Sequence, residues 1–164
     1  MSGTSVDRVR AALLAAGHAD TIRAFPEGTR SAAEAASAVG CVVAQIAKSI
    51  VFRGVPEPSD PGQDRAVLVV TSGANRVNAS KAACASGLPL RRADADWVRG
   101  ATGFAIGGVA PVGHRQPPVV LVDRDLAAFD RIWAAAGSPT HVFATTPDDL
   151  LRISGGAWAV VREG

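Results

Sequence analysis

Every segment of this chain that reads as helix is closed within about three turns. Ser5 can cap a helix that carries Val6, Val9 and Leu13 on one face and stops near Gly17. Ser31 and Glu34 have capping-box spacing, and the alanine-rich helix they open ends at Gly40. Asn78 opens a short helix closed by Gly87, and Asp94 or Asp96 opens another closed around Gly103. Thr146, with Pro147 at the first helical position, starts a last helix through Ile153.

Short apolar runs lie between these helices. Ile22 to Phe25 reads as a brief strand. Ile46 to Arg53 reads as a longer one, with Ile46, Lys48, Ile50 and Phe52 on one face. "GVPEPSDPGQD" is a polar loop, and "RAVLVVTSG" after it is a buried strand. "PPVVLVDRDL" is a strand, "RIWAAAG" and "HVFAT" joined by "SPT" form a β-hairpin, and "AWAVVRE" ends the chain as a strand. The order is mixed rather than strictly alternating. It predicts an α+β fold with a mixed, largely antiparallel, barrel-like sheet flanked by short helices.

The 164 residues suit one domain over 1–164, and 48% hydrophobic content predicts a folded core. A net charge of +2 permits a phosphate-bearing partner without demanding one. With 17 basic residues against 15 acidic, and no recognition-helix motif, DNA binding is not expected. No run reaches the length of a membrane span, and the first residues lack the apolar centre of a signal peptide. Cys41 and Cys84 are too few for a disulfide framework and sit among apolar neighbours, so a cytoplasmic chain with reduced, structural thiols is expected. There is no P-loop, no dinucleotide-binding glycine pattern and no nucleophile elbow. His18, His114 and His141 are scattered, and no metal-ligand spacing or cofactor motif is present.

Two places could carry chemistry. Lys48 lies within the otherwise apolar "AQIAKSIVF". Its stem could pack while its ammonium reaches water at a strand edge. Alternatively, the ammonium stands in the mouth of a pocket and meets a phosphate or a polarised oxygen. The second place is "GFAIGGVAPVGH", Gly103 to His114. It could be a plain turn between strands. Alternatively, Gly107 and Gly108 let backbone approach a ligand, Pro111 fixes the far side, and successive N–H groups point at an oxyanion or carbonyl. His114 by itself is a weak signal, since a lone histidine in a loop is more often structural or merely exposed.

"AQIAKSIVFRG", "VTSGANRVN", "RADADWVRGATGFAIGGVAPVGH" and "TTPDDLLRISGG" together resemble the YbaK/EbsC family, free-standing relatives of the editing domain inserted in bacterial prolyl-tRNA synthetases. The resemblance runs from about Ile22 to Val161. Lys48 matches the family's strand lysine, and Gly107, Gly108, Val109, Ala110 and Pro111 match its G-x-x-x-P loop. It implies trans-editing: hydrolysis of a mischarged aminoacyl-tRNA, above all tRNA-Pro carrying a small wrong amino acid such as Ala, Cys or Ser. A synthetase pocket discriminates weakly against smaller or isosteric amino acids, so a second site must clear the errors. In the family, loop amides hold the substrate carbonyl and the tRNA's terminal ribose hydroxyl helps activate water. Lys48 would meet the phosphate or ribose of the acceptor end, and Ser49, Thr102, Gly103 and His114 would contact substrate. The implied partners are the acceptor end of aminoacyl-tRNA and prolyl-tRNA synthetase, with no cofactor, metal or membrane. Where this chain has His114 the family's cysteinyl-tRNA deacylase has glutamine, and members that clear alanyl-tRNA carry asparagine where Ser49 stands. The resemblance therefore does not transfer an amino-acid specificity. A catalytically silent module that binds the acceptor end or docks on a synthetase would use the same lysine and loop.

Overall fold

The computed structural model describes residues 4–25, 31–56 and 61–164. The elements run α1 (Ser5–Ala15), β1 (Ile22–Ala24), α2 (Ala32–Val39), β2 (Ile46–Gly54), β3 (Arg65–Ser72), α3 (Ala79–Ser86), β4 (Leu90–Arg92), α4 (Ala95–Thr102), β5 (Val119–Asp123), β6 (Ile132–Ser138), β7 (His141–Thr145), α5 (Pro147–Ser154) and β8 (Ala157–Ala159). Part of the polar loop after β2, residues 57–60, lies outside the described residues.

The helices are capped as their sequences predict. Ser31, Asn78, Asp94 and Thr146 each accept the backbone N–H three residues on. The helices they open end on Gly40, Gly87, Gly103 and Gly155 in the left-handed region. The first helix corrects the expectation: Thr4, not Ser5, is the cap. Thr4 Oγ1 accepts from Asp7 N–H at 3.1 Å, and the Asp7 carboxylate returns to Thr4 N–H at 3.2 Å.

The eight strands form one mixed sheet in the order β1-β7-β6-β2-β3-β5-β8, with β4 also paired to β2. The pairs β1·β7, β6·β7, β2·β3 and β2·β4 are antiparallel, and β2·β6, β3·β5 and β5·β8 are parallel. Strand β4 was not expected. The last strand is shorter than "AWAVVRE", and β5 gives way at Arg124 to a 3₁₀ turn. Val67 to Val70 of β3 are wholly buried, as a strand covered on both faces must be. The main core joins β3 and β5 to α1, α4, α5 and the residues Phe104, Val109, Ala110 and Val112.

The end of β3 beneath Lys48 is fixed by a buried carboxylate. Lys48 is paired across β2·β3 with Thr71, whose hydroxyl donates to Asp123 Oδ2 at 3.0 Å. Ser72 N–H and Asn75 Nδ2 donate to the same oxygen. Asp123 is 1% exposed, and these donors satisfy a charge that would otherwise be costly to bury.

Candidate active site

The sheet opens beside β2. Strand β6 pairs with β2 only at Ile46 and Ala47, and β4 joins the same edge at Phe52. Among the described residues no strand covers that edge in between. The direction of the backbone follows from its neighbours. Ile46 C=O accepts from Gly73 N–H on the β3 side, whereas Val55 N–H donates to Pro89 C=O on the other. The odd-numbered residues of β2 therefore aim at the open edge, and Ser49 presents its N–H and C=O there without a strand partner. The Ser49 hydroxyl is also buried without a partner.

A cavity of about 820 Å³ occupies this opening. Its walls include Lys48, Ser49 and Ile50 of β2, Ala32 and Ala35 of α2, and Trp133 of β6. Ile106, Gly107 and Val109 close one side, and Ser138, Pro139 and His141 of the β6–β7 hairpin another. Lys48 and the glycine-rich loop thus meet in one cleft. Lys48 makes no hydrogen bond or ion pair among the described residues. Arg53, further along the same strand, is paired with Asp64 at 2.6 Å and lies over Trp97. The unpaired ammonium in the cleft is left available to a ligand.

Apolar anchors hold the loop between α4 and β5. Phe104, Val109, Ala110 and Val112 are 0–6% exposed and belong to the main core, which leaves the intervening backbone at the cavity wall. Gly108 N–H donates to Ala105 C=O, closing a turn. Its amide is therefore spent within the loop and is not free for a substrate. The N–H groups of Gly107 and Val109 have no acceptor among the described residues. Gly108 itself lies against the hairpin, where a Cβ would come within 2.7 Å of Ser138 Cα.

The other residues named from the sequence support the loop rather than line the cavity. Thr102 is buried, and its hydroxyl donates to Val98 C=O and accepts from Phe104 N–H. Gly103 closes α4. Ala110 and Pro111 are buried at the loop's base. His114 donates from Nε2 to Ala110 C=O at 2.6 Å and meets the Phe104 ring edge-on. That bond fixes the tautomer and leaves the buried Nδ1 without a partner. Burial lowers the His114 pKa, Arg8 nearby adds to the lowering, and the Ala110 bond opposes it.

The hairpin turn was not foreseen as part of the site. His141 Nδ1 lies 2.6 Å from Ser138 Oγ and 3.0 Å from Thr140 Oγ1, and Ser138 Oγ accepts Thr140 N–H. The "SPTH" stretch signals a turn, but its place at the cavity wall depends on strand order. Cys84 corrects another expectation, whereas Cys41 packs against the apolar cluster of Ile46 and Trp133 as expected. Cys84 is exposed and Cys41 half-buried, burial raises the Cys41 pKa, and neither lines the cavity.

A lysine and backbone amides unpaired among the described residues around one cleft form a site whose chemistry suits an anionic or acyl-bearing ligand. The model of the aminoacyl-tRNA editing domain matches residues 26–153, and the chain belongs to that family. It is 30% identical over 130 residues to the uncharacterized protein YwhH of Bacillus subtilis, covering 79% of this chain and 78% of that one. A solved structure provisionally assigned as a trans-editing enzyme for prolyl tRNA synthetase is 42% identical, with a TM-score of 0.88 over the whole of both chains. The hypothetical protein APE2540 is 27% identical, with a TM-score of 0.83, covering 95% of this chain and 99% of that one. Among the described residues no helix is long and apolar enough to cross a membrane.

Proposed function

We propose that this protein is an aminoacyl-tRNA deacylase that hydrolyses the ester of mischarged tRNA in trans, acting on tRNA-Pro that carries a small wrong amino acid. One observation carries this reading. Lys48 shares a cleft with Gly107 and Val109, and among the described residues neither its ammonium nor their N–H groups have a partner.

In this reading the aminoacyl end of the tRNA enters beside β2. The N–H groups of Gly107 and Val109 donate to the ester carbonyl oxygen, and their bonds strengthen as negative charge builds on it during attack by water. The attacking water is activated by the ribose hydroxyl next to the ester; among the described residues no carboxylate lines the cleft. The Lys48 ammonium pairs with the phosphate or ribose of the terminal nucleotide. Ser49 offers its edge backbone N–H and C=O to the amino acid. Small residues (Ala32, Ala35, Ala134 and Ala135) and the Trp133 ring bound the remaining space. His114 keeps the loop in place through Ala110.

That no carboxylate lines the cavity among the described residues also favours a second reading, a module that binds the acceptor end and leaves hydrolysis to another protein. A deacylation assay over tRNA-Pro charged with alanine, cysteine, serine and proline separates the two. Release of one or more of the wrong amino acids, with prolyl-tRNA spared, is the expected result. Binding without release from any of them identifies the silent module.

A further inference from the structure

The N-terminal helix lies outside the residues matched by the family model, yet it touches both the glycine-rich loop and the β6–β7 hairpin, whose other residues line the cleft. Arg8 of α1 donates from Nε to Gly113 C=O at 2.7 Å and from Nη2 to Gly103 C=O at 2.7 Å. These carbonyls stand at the two feet of the glycine-rich loop. The Arg8 guanidinium also lies over the Phe104 ring, 4.6 Å from its centre, and Phe104 in turn meets His114. One turn earlier, α1 abuts the hairpin. A Cβ on Gly137 would come within 2.7 Å of Ser5 C=O, and Gly137 has a φ of +100° that suits glycine alone.

We propose that Arg8 is a positioning residue that spans the feet of the 103–113 loop and thereby sets where the Gly107 and Val109 N–H groups stand. A planar guanidinium with donors on a fixed fork can hold two carbonyls at once, which a lysine ammonium on a flexible stem cannot do with the same geometry. Burial and the neighbouring Arg115 charge both disfavour a cation at this place. The arginine is held there by the two carbonyls and the aromatic face. The clamp leaves the loop amides pre-set before substrate arrives, so losing it misplaces the donors without removing any of them. This rests on the reading of the loop as the carbonyl-holding element, and the experiment treats the two separately.

The experiment compares wild type with Arg8→Met, Arg8→Lys and, as a control on the same helix, Arg10→Met. Amide hydrogen exchange across residues 103–114 is measured alongside kcat and KM for deacylation. The prediction for Arg8→Met is a loop that exchanges on the order of tenfold faster, with a kcat lowered on the order of tenfold and little change in KM. Arg8→Lys recovers part of both effects, and Arg10→Met changes neither. If Arg8→Met does not fold, Arg8→Lys must still show faster loop exchange than wild type. Faster loop exchange in a family of variants where even wild type fails to deacylate supports the clamp and removes the proposed function. Unchanged loop exchange in folded Arg8→Met or Arg8→Lys overturns the clamp, as does a loss of kcat that Arg10→Met reproduces.

Discussion

His114 donates from Nε2 to the carbonyl of Ala110 at 2.6 Å, tying the end of the glycine-rich loop to its buried middle. The bond is made by a neutral ring, because burial holds the His114 pKa below its ordinary 6.5. As pH falls, the unfolded chain therefore takes up this proton before the folded protein does. The linked stability is complete above about pH 6.5 and declines as pH drops through that value toward the lower folded one. Melting temperature measured between about pH 8 and pH 5 should fall more steeply for wild type than for His114→Gln, which keeps a donor but has no charge to gain. Equal slopes would separate this histidine from the pH response.

The contact between Gly108 and Ser138 predicts a sharp contrast between two glycines. Gly108→Ala drives a Cβ into Ser138 backbone, whose Cα, N and C would lie 2.7, 2.9 and 3.0 Å away. A loss of about 1–3 kcal/mol is expected, with deacylation reduced because the loop must shift. Gly100→Ala, inside α4 with nothing within 4 Å, should instead gain about 0.5–1 kcal/mol and keep activity. Denaturant melts of the two variants give both values.

Neither thiol takes part in the chemistry proposed for the cleft. Cys41 donates to Val42 C=O and its pKa is raised by burial, which disfavours the nucleophilic thiolate. The double variant Cys41→Ser, Cys84→Ser should deacylate within about threefold of wild type. Loss of activity with the fold retained, followed by circular dichroism, would require a thiol mechanism.

The sequence displays the helix limits because each is written locally. Ser31 with Gly40 and Asn78 with Gly87 carry side-chain caps and left-handed ends within a few residues of each other. Thr4 was missed in favour of Ser5 because both are good caps, and the choice turns on the Asp7 carboxylate reaching back to Thr4 N–H. Strand β4 was invisible for a different reason. Leu90–Arg92 is three residues long with two exposed arginines, and only pairing to Phe52–Gly54 makes it a strand. Lys48 and the loop stood out as an unusual charge and an unusual glycine density. That the two line one cleft is expected from their need for a common substrate, but the shape of the cleft is not legible, since it depends on β6 leaving β2 after Ala47 and on an irregularity between Ala135 and Ser138. Likewise Ser138 and His141 reach the cavity only through that strand order.

Lys48 is the most direct test of the whole account. The measurement is the rate of deacylation of mischarged tRNA-Pro by wild type, Lys48→Ala and Lys48→Arg, at low and high salt, with melting temperature followed in parallel. Losing a charge-assisted hydrogen bond costs roughly 1.5–3 kcal/mol, so Lys48→Ala should lose on the order of ten- to a hundredfold in rate while its fold is kept. Lys48→Arg should recover only part of that, and the wild-type advantage should shrink with salt as a phosphate contact requires. A Lys48→Ala protein that deacylates like wild type would contradict the account and return the lysine to a packed stem with its charge in water.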